Sequence, residues 1–257
     1  MVTVIQAIIL GIVQGLTEWL PISSSGHLAL FQHLFGLEQV VAFDVMLHLG
    51  TLLVIFFVFR EDLFRMSLGI IKKDSQSLRM AAFIIIATIP TALAGFLFRD
   101  WLERSFDRFD LLGIFFIATA AWLFLSKYPL KKTNNLSFLS SFIIGVSQAV
   151  SIIPSVSRSG ATIATGLMLG IKREEAAKFS FLIAIPAILG AAVLSARDIA
   201  MITDVVPAII GTMTSAVVGF FSLKFLLMTI KENKFMHFAW YCLVMGILVL
   251  ILNALKV

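Results

Sequence analysis

The sequence predicts an all-α polytopic membrane protein, an inverted-topology repeat with six membrane-spanning helices and two re-entrant helical hairpins. Three observations carry that expectation. First, 60% of the side chains are hydrophobic and 14% charged, where a soluble domain carries roughly a quarter charged residues; mean hydropathy is +1.01. Second, six uncharged apolar runs are long enough to cross a bilayer. Third, two Pro- and Ser-rich stretches recur at a fixed offset. Such a composition excludes soluble enzymes and nucleic-acid modules, and no nucleic-acid partner is expected. The net charge of +5 is assigned to short loops, where Lys and Arg set membrane orientation.

The elements follow in order. Met1 to Leu20 has no basic n-region and no small-residue cleavage site, so it reads as mature protein rather than a signal peptide. Val2 to Leu20 runs into a Pro and Ser cluster, and a short segment then ends at Gly36. Those last segments hold about ten residues, which at about 1.5 Å per residue cross roughly half the hydrocarbon. Residues 2–36 are therefore expected to form the first re-entrant hairpin, and residues 136–170, ending at Gly170, the second. The six spans lie between Asp44 and Arg60, Arg79 and Arg99, Asp110 and Lys127, Lys178 and Arg197, Asp204 and Lys224, and Phe235 and Lys256. Residues 1–257 thus form one integral membrane domain, with repeat one at 1–130 and repeat two at 136–257. The single cysteine, Cys242, lies in an apolar run with no disulfide partner, and its expected role is packing.

The loop charges were not used to draw these spans, so they test them. With the loop Arg60 to Arg79 in the cytoplasm, that side also collects Arg65, Lys72, Lys73, Lys127, Lys131, Lys132, Lys172, Arg173, Lys178, Lys231 and Lys234. The outer side holds Arg99, Arg104, Arg108, Arg197 and Lys256. That bias obeys the positive-inside rule and makes the two hairpins enter from opposite sides.

The duplication has its own signature. Gly11, Gln14, Ser23, Ser25, Gly26 and Gly36 recur as Gly145, Gln148, Ser157, Ser159, Gly160 and Gly170, each 134 positions later. A weaker pair, TALAGF at Thr91 and SAVVGF at Ser215, extends the match into the spans. Small residues also recur by chance at membrane helix contacts, but a constant offset across six identities favours duplication. Inverted repeats with broken helices place a ligand near the midplane, where the tips meet.

Within the tips, the Arg or Lys is Arg158 and the acid is Glu18. A guanidinium at membrane depth costs several kcal/mol unless it faces a polar cavity with a partner. Ser157, Ser159 and Thr162 flank it at the start of a helix expected over Ala161 to Leu169; hydroxyls, helix N–H groups and a forked cation form an anion cradle. The plainer alternative is an Arg158–Glu18 pair that only fixes packing. In the first tip Gln14 lies one turn before Glu18, and Ser23, Ser24, Ser25 and His27 follow Pro21. A serine needs a base and an imidazole needs an acceptor, so Ser24, His27 and Glu18 are catalytic candidates and Ser23, Ser25 and Gln14 substrate-binding ones. Taken singly, His27 reads as a helix-start histidine bonded to backbone, and the serines as caps, with Ser25 placed as N-cap before Gly26. His48, within a span, could line the cavity but reads rather as a packing histidine bonded to a neighbouring helix, His33 and His237 read as interfacial, and Lys172, Arg173, Glu174, Glu175 and Lys178 as a solvated loop.

Gln14-Gly15-Leu16-Thr17-Glu18 with Pro21-Ile22-Ser23-Ser24-Ser25-Gly26-His27, and Pro154-Ser155-Val156-Ser157-Arg158-Ser159-Gly160-Ala161-Thr162, closely resemble the two signature motifs of the bacterial undecaprenyl-diphosphate phosphatases of the bacitracin-resistance type. The resemblance covers essentially the whole chain. It implies hydrolysis of undecaprenyl diphosphate to undecaprenyl phosphate and inorganic phosphate, recycling the lipid carrier of peptidoglycan synthesis and conferring bacitracin resistance. It also implies a multi-pass protein of the bacterial cell (inner) membrane, with its site facing the periplasmic or extracellular side. A divalent cation, Mg²⁺ or Ca²⁺, is implied, with Glu18 as the candidate metal ligand. Two residues depart from the family pattern: Gln14 stands where Glu is frequent, and Ser155 where Gly is usual.

The expected partners are the isoprenoid diphosphate lipid and the bilayer, with a homodimer left open. In the expected mechanism Arg158 and its neighbours hold the phosphates, Ser24 attacks, His27 acts as base and then acid, and Glu18 orients the imidazole or binds the cation. Attack by His27 or by water also satisfies the spacing. The rival from another class is a transporter or flippase of a lipid phosphate or small anion, since inverted repeats are a transporter architecture.

Overall fold

The structure, a computed structural model, describes residues 2–37, 41–98, 101, 105, 109–129, 135–232 and 234–255. Arg99, Arg104, Arg108, Lys131, Lys132 and Lys256 of the charge pattern lie outside the described residues.

Helix α1 (Val4–Trp19) opens with a reciprocal cap. The Thr3 hydroxyl accepts the Gln6 N–H, and the Gln6 amide oxygen accepts the Thr3 N–H. It ends because Leu20, restricted by Pro21, is extended at ψ 141°. Helix α2 (Ser24–Leu34) restarts at once, capped by Ser23, and stops before Gly36, whose φ of +63° suits a residue without Cβ. The second copy repeats this grammar. Ser137 and Ser140 box the start of α7 (Phe138–Val150), Ser157 caps α8 (Arg158–Met168), and Gly170 closes it at φ +80°. The cap corrects two expectations: Ser23 rather than Ser25 caps α2, its hydroxyl accepting the Gly26 N–H at 3.2 Å, and α8 begins at Arg158, three residues before the expected start.

Among the described residues, five helices are long and apolar enough to cross a membrane: α3 (Val41–Val58), α5 (Ser75–Leu97), α9 (Arg173–Leu194), α11 (Val205–Lys231) and α12 (His237–Ala254). They coincide with five of the six expected spans. The stretch expected between Asp110 and Lys127 is α6 (Phe109–Leu125), apolar but only 17 residues long. Two elements are peripheral. Helix α4 (Arg60–Ile71) buries no residue, and α10 (Ala196–Ala200) is a single turn. Asp74 caps α5 by accepting the Ser77 N–H, and that bond holds its carboxyl below the usual carboxylate range. Large apolar side chains such as Ile5, Leu53, Phe57, Ile85, Val193, Phe221 and Val244 face outward, as in a multi-pass protein whose solvent is lipid.

Helix pairs come in twos. Helix α1 lies along α11 as α7 lies along α5, α3 packs on α11 as α9 packs on α5, and α6 crosses α12. Small residues let the backbones approach, because contact rather than hydrophobic burial drives association in lipid. A Cβ on Gly145 would stand 2.4 Å from the Ala87 carbonyl oxygen, and one on Gly50 would stand 2.2 Å from both the Thr212 carbonyl oxygen and the Ser215 hydroxyl. Trp19, Phe181, Leu223 and Cys242 meet in the principal core, the cysteine serving as packing. Gly50→Ala is expected to cost about 1–3 kcal/mol through this backbone clash, lowering the unfolding temperature in detergent. Gly190→Ala, with no atom within 4 Å of the new methyl, is the control expected to leave it unchanged or raised.

Candidate active site

The last turn of α1 and the first turns of α2 and α8 converge on one carboxylate. Arg158 sits in the first turn of α8, where long side chains lean back toward the N-terminus. Its Nη2 donates to Glu18 Oε1 across the two tips, and its guanidinium lies over Trp19, 5.6 Å from the ring centroid. Glu18 Oε2 accepts from the Ser24 hydroxyl at 2.7 Å and from Gln14 Nε2 at 3.0 Å. His48 Nε2, from α3, stands 3.3 Å from the same oxygen. The Glu18 side chain is 5% exposed and that of Arg158 16%, so each charge depends on the other for compensation. Four buried polar atoms here have no partner among the described residues: Arg158 Nη1, Gln14 Oε1, Trp19 Nε1 and Ser155 Oγ.

The remaining serines build the platform. Ser23 and Ser25 hydroxyls lie 3.3 Å apart, and so do those of Ser157 and Ser159. The Ser155 N–H donates to Ser25 Oγ at 3.3 Å, while the Ser159 hydroxyl donates to the Leu20 carbonyl at 3.1 Å, so each tip is bonded to the other. Ser157 Oγ accepts the Gly160 N–H, and the Thr162 hydroxyl reaches the Arg158 carbonyl and Ser180. Ser157, Ser159 and Thr162, expected as phosphate donors, thus commit their hydroxyls to holding the loop that presents Arg158. Both tips contain a serine in the left-handed region, Ser23 at φ +69° and Ser155 at φ +64°, a conformation that strains any residue with a Cβ. Ser155, the departure from Gly, is accommodated there with its hydroxyl buried and unpaired.

His27 is placed otherwise than its spacing suggests. Its Nδ1 meets the Ser23 carbonyl at 2.7 Å and its Nε2 the Tyr241 hydroxyl at 2.7 Å, with the Tyr241 ring stacked on it. Both ring nitrogens are therefore engaged, and neither faces Ser24 or Glu18. The expected orientation of this imidazole by Glu18 is replaced by orientation from Tyr241, and the backbone bond pins the strained Ser23 that precedes Ser24. His48 does reach a neighbouring helix, as a packing histidine would, but the group it reaches is Glu18, which brings it into the site. Of the two readings of His48 the sequence favoured packing over cavity lining, and it assigned Tyr241 no role. Only the polar identity of His48 within a span signalled it, and Tyr241, 214 positions from His27, carried no signal.

Away from the tips, Lys172, Arg173, Glu174, Glu175 and Lys178 line an open groove with Met80, Ile230 and Lys231. Lys178 pairs with Asp62 at 2.5 Å; the expected solvated loop is instead the start of α9, which Lys172 precedes and whose first turns hold Arg173 to Lys178. The donors for a divalent cation are few. No group of three or more His, Cys, Asp or Glu side chains clusters among the described residues, and the oxygen donors at the site are Glu18 and the orphaned Gln14 Oε1. One carboxylate with one carbonyl oxygen fits a cation whose remaining ligands are phosphate oxygens and water.

These features define a polytopic helical membrane protein with a buried acid that meets a partly buried serine and arginine between two helix starts, one guanidinium nitrogen being without a partner among the described residues. Comparison with known proteins is specific. The chain belongs to the bacitracin resistance protein BacA family, whose description matches residues 7–248. Undecaprenyl-diphosphatase of Carboxydothermus hydrogenoformans is 45% identical over 260 residues, covering 97% of each chain. That of Treponema denticola is 43% identical, covering 95% of this chain and 96% of the relative. The undecaprenyl-diphosphatase of Methanobrevibacter smithii is 42% identical, covering 96% of both.

Arg158→Leu leaves Glu18 buried without its guanidinium. The cost is expected to be about 3–5 kcal/mol, read as a lowered thermal unfolding transition in detergent, and Glu18→Leu added to it is expected to restore part of the loss.

Proposed function

We propose that this chain hydrolyses undecaprenyl diphosphate to undecaprenyl phosphate and inorganic phosphate at the Glu18 site, recycling a lipid carrier of cell-wall synthesis. The observation that carries the reading is that one buried carboxylate holds both a serine hydroxyl and an arginine whose second nitrogen is free. The terminal phosphate docks on Arg158, and the first-turn N–H groups of α8 add donors and helix-dipole charge. Ser24 Oγ attacks the terminal phosphorus and gives its proton to Glu18, while the bond from that phosphorus to the bridging oxygen breaks and undecaprenyl phosphate leaves. Arg158 stabilises the charge spread over the transferring group. Water then attacks the phosphoserine. Glu18 relays its proton, Ser24 recovers a hydroxyl, and inorganic phosphate departs. Glu18 thus takes the base role that spacing suggested for His27.

For a divalent cation, Glu18 and Gln14 Oε1 are the protein oxygens that would hold it; bound there, it would neutralise phosphate charge. Membership of the family supports a site open to the periplasmic or extracellular side, as the resemblance implied, and the isoprenoid tail stays among the helices in lipid. The paired packing of α1 on α11 and α7 on α5, with Ser23 and Ser157 as equivalent caps, supports an inverted repeat of six spans and two re-entrant hairpins within one domain. That same symmetry favours one second reading, a transporter or flippase, because such repeats rock about a central site.

Phosphate release from undecaprenyl diphosphate by purified protein in detergent decides. Ser24→Ala and Arg158→Ala are each expected to lower the rate by about 100-fold or more, and a chelator is expected to lower it until Mg²⁺ is restored. Equal release by wild type and Arg158→Ala would remove the site proposed, and lipid movement across vesicles without phosphate release is the transport outcome.

A further inference from the structure

Two basic side chains meet Glu18, and they are held differently. Arg158 reaches it from the other tip with one nitrogen, its second nitrogen free. When a phosphate takes the guanidinium, as the reading of Ser24 and Glu18 above requires, that contact is shared or lost. His48 is fixed by its own helix. Its Nδ1 faces the Asp44 carbonyl at 2.7 Å, which can only accept, so Nδ1 carries a hydrogen, and Nε2, the nitrogen that looks at Glu18, pairs with it as the imidazolium. The Asp44 carboxylate is held off by Gln32, whose Nε2 donates to Oδ1 at 2.7 Å. The Thr51 hydroxyl bonds the His48 carbonyl at 2.9 Å, and Gly50 two positions on is locked against α11. The imidazole therefore has little freedom to follow a moving ligand.

Its target is the oxygen that matters for the chemistry. Nε2 lies 3.3 Å from Oε2, the oxygen that accepts the Ser24 hydroxyl. A carboxylate that loses its guanidinium can rotate about its last torsion, a broad and shallow one, and would then turn away from Ser24. Gln14 Nε2 also donates to Oε2, but from the same helix as Glu18; a charged imidazole beside that oxygen, mounted on a separate spanning helix, opposes the rotation from outside. We propose that His48 is a positioning residue for hydrolysis, holding Glu18 Oε2 on the Ser24 hydroxyl after substrate has drawn Arg158 away. This rests on the reading of Ser24 and Glu18 given above. An interaction needed only after substrate docks belongs to kcat rather than to KM.

The test is kcat and KM for phosphate release by folded, purified His48→Leu and His48→Gln, with Ser24→Ala alongside. The His48→Leu variant is expected to lose about 10- to 100-fold in kcat, the range of a hydrogen bond to a charged group, with KM little changed. Glutamine, whose Nε2 can donate to the same oxygen, is expected to restore most of the rate. Wild-type kcat in His48→Leu, a loss confined to KM, or a His48→Gln variant as slow as His48→Leu would each overturn the assignment while leaving Ser24 in place. Wild-type release by Ser24→Ala would overturn the underlying reading, and this assignment with it.

Discussion

The contact between Glu18 and Arg158 is the constraint on which the rest of the arrangement depends. Neither charge is tolerable alone at membrane depth, and each arrives on a different broken helix, 140 positions apart in sequence. Bringing them together requires α1 to stop at Pro21 and α8 to start at Arg158, both with their ends exposed to one another. The caps at Ser23 and Ser157, the strained Ser23 and Ser155, and the bonds that tie Ser25 to Ser155 and Ser159 to Leu20 all serve that meeting. Trp19 supplies an apolar wall that is also a cation surface, so the guanidinium is confined without a second acid.

The recurrence of residues at an offset of 134 accounts for the matching caps of the two tips and not for the chemistry. Ser24 and Arg158 occupy equivalent positions, since each follows its capping serine, yet one is a nucleophile candidate and the other an anion holder. Their common partner breaks the symmetry, for the position equivalent to Glu18 is Ile152. Gln148, equivalent to Gln14, finds Thr91 instead of a carboxylate. Two similar tips that face one another thus build a single site with unlike walls.

The spans were largely legible because lipid imposes a simple rule, that a crossing helix needs a long apolar run. Arg158 and Glu18 were legible for the same reason, as charges where charge is expensive. What spacing could not show is direction. His27 lies three residues from Ser24, but at the start of a helix its ring turns to the Ser23 carbonyl and to a tyrosine from the far end of the chain. His48 lies on another helix, and no periodicity within α3 reveals that its face meets Glu18. Ser25 looked like the cap because it precedes Gly26, whereas capping geometry needs a hydroxyl three residues before the N–H it accepts, which is Ser23.

The bonds between the tips also bear on how the protein is made. The first tip leaves the ribosome with a buried acid, and its guanidinium partner is synthesised only after four more apolar helices have been threaded. A half-built chain has Gln14, Ser24 and His48 to set beside Glu18 but lacks the opposite tip, so its Ser25 hydroxyl has no Ser155 N–H to accept. The site is therefore among the last parts to consolidate, closed by contacts of long sequence separation that form slowly. Membrane insertion and acquisition of activity are distinct events in the life of this chain, and the second waits on the docking of its two halves.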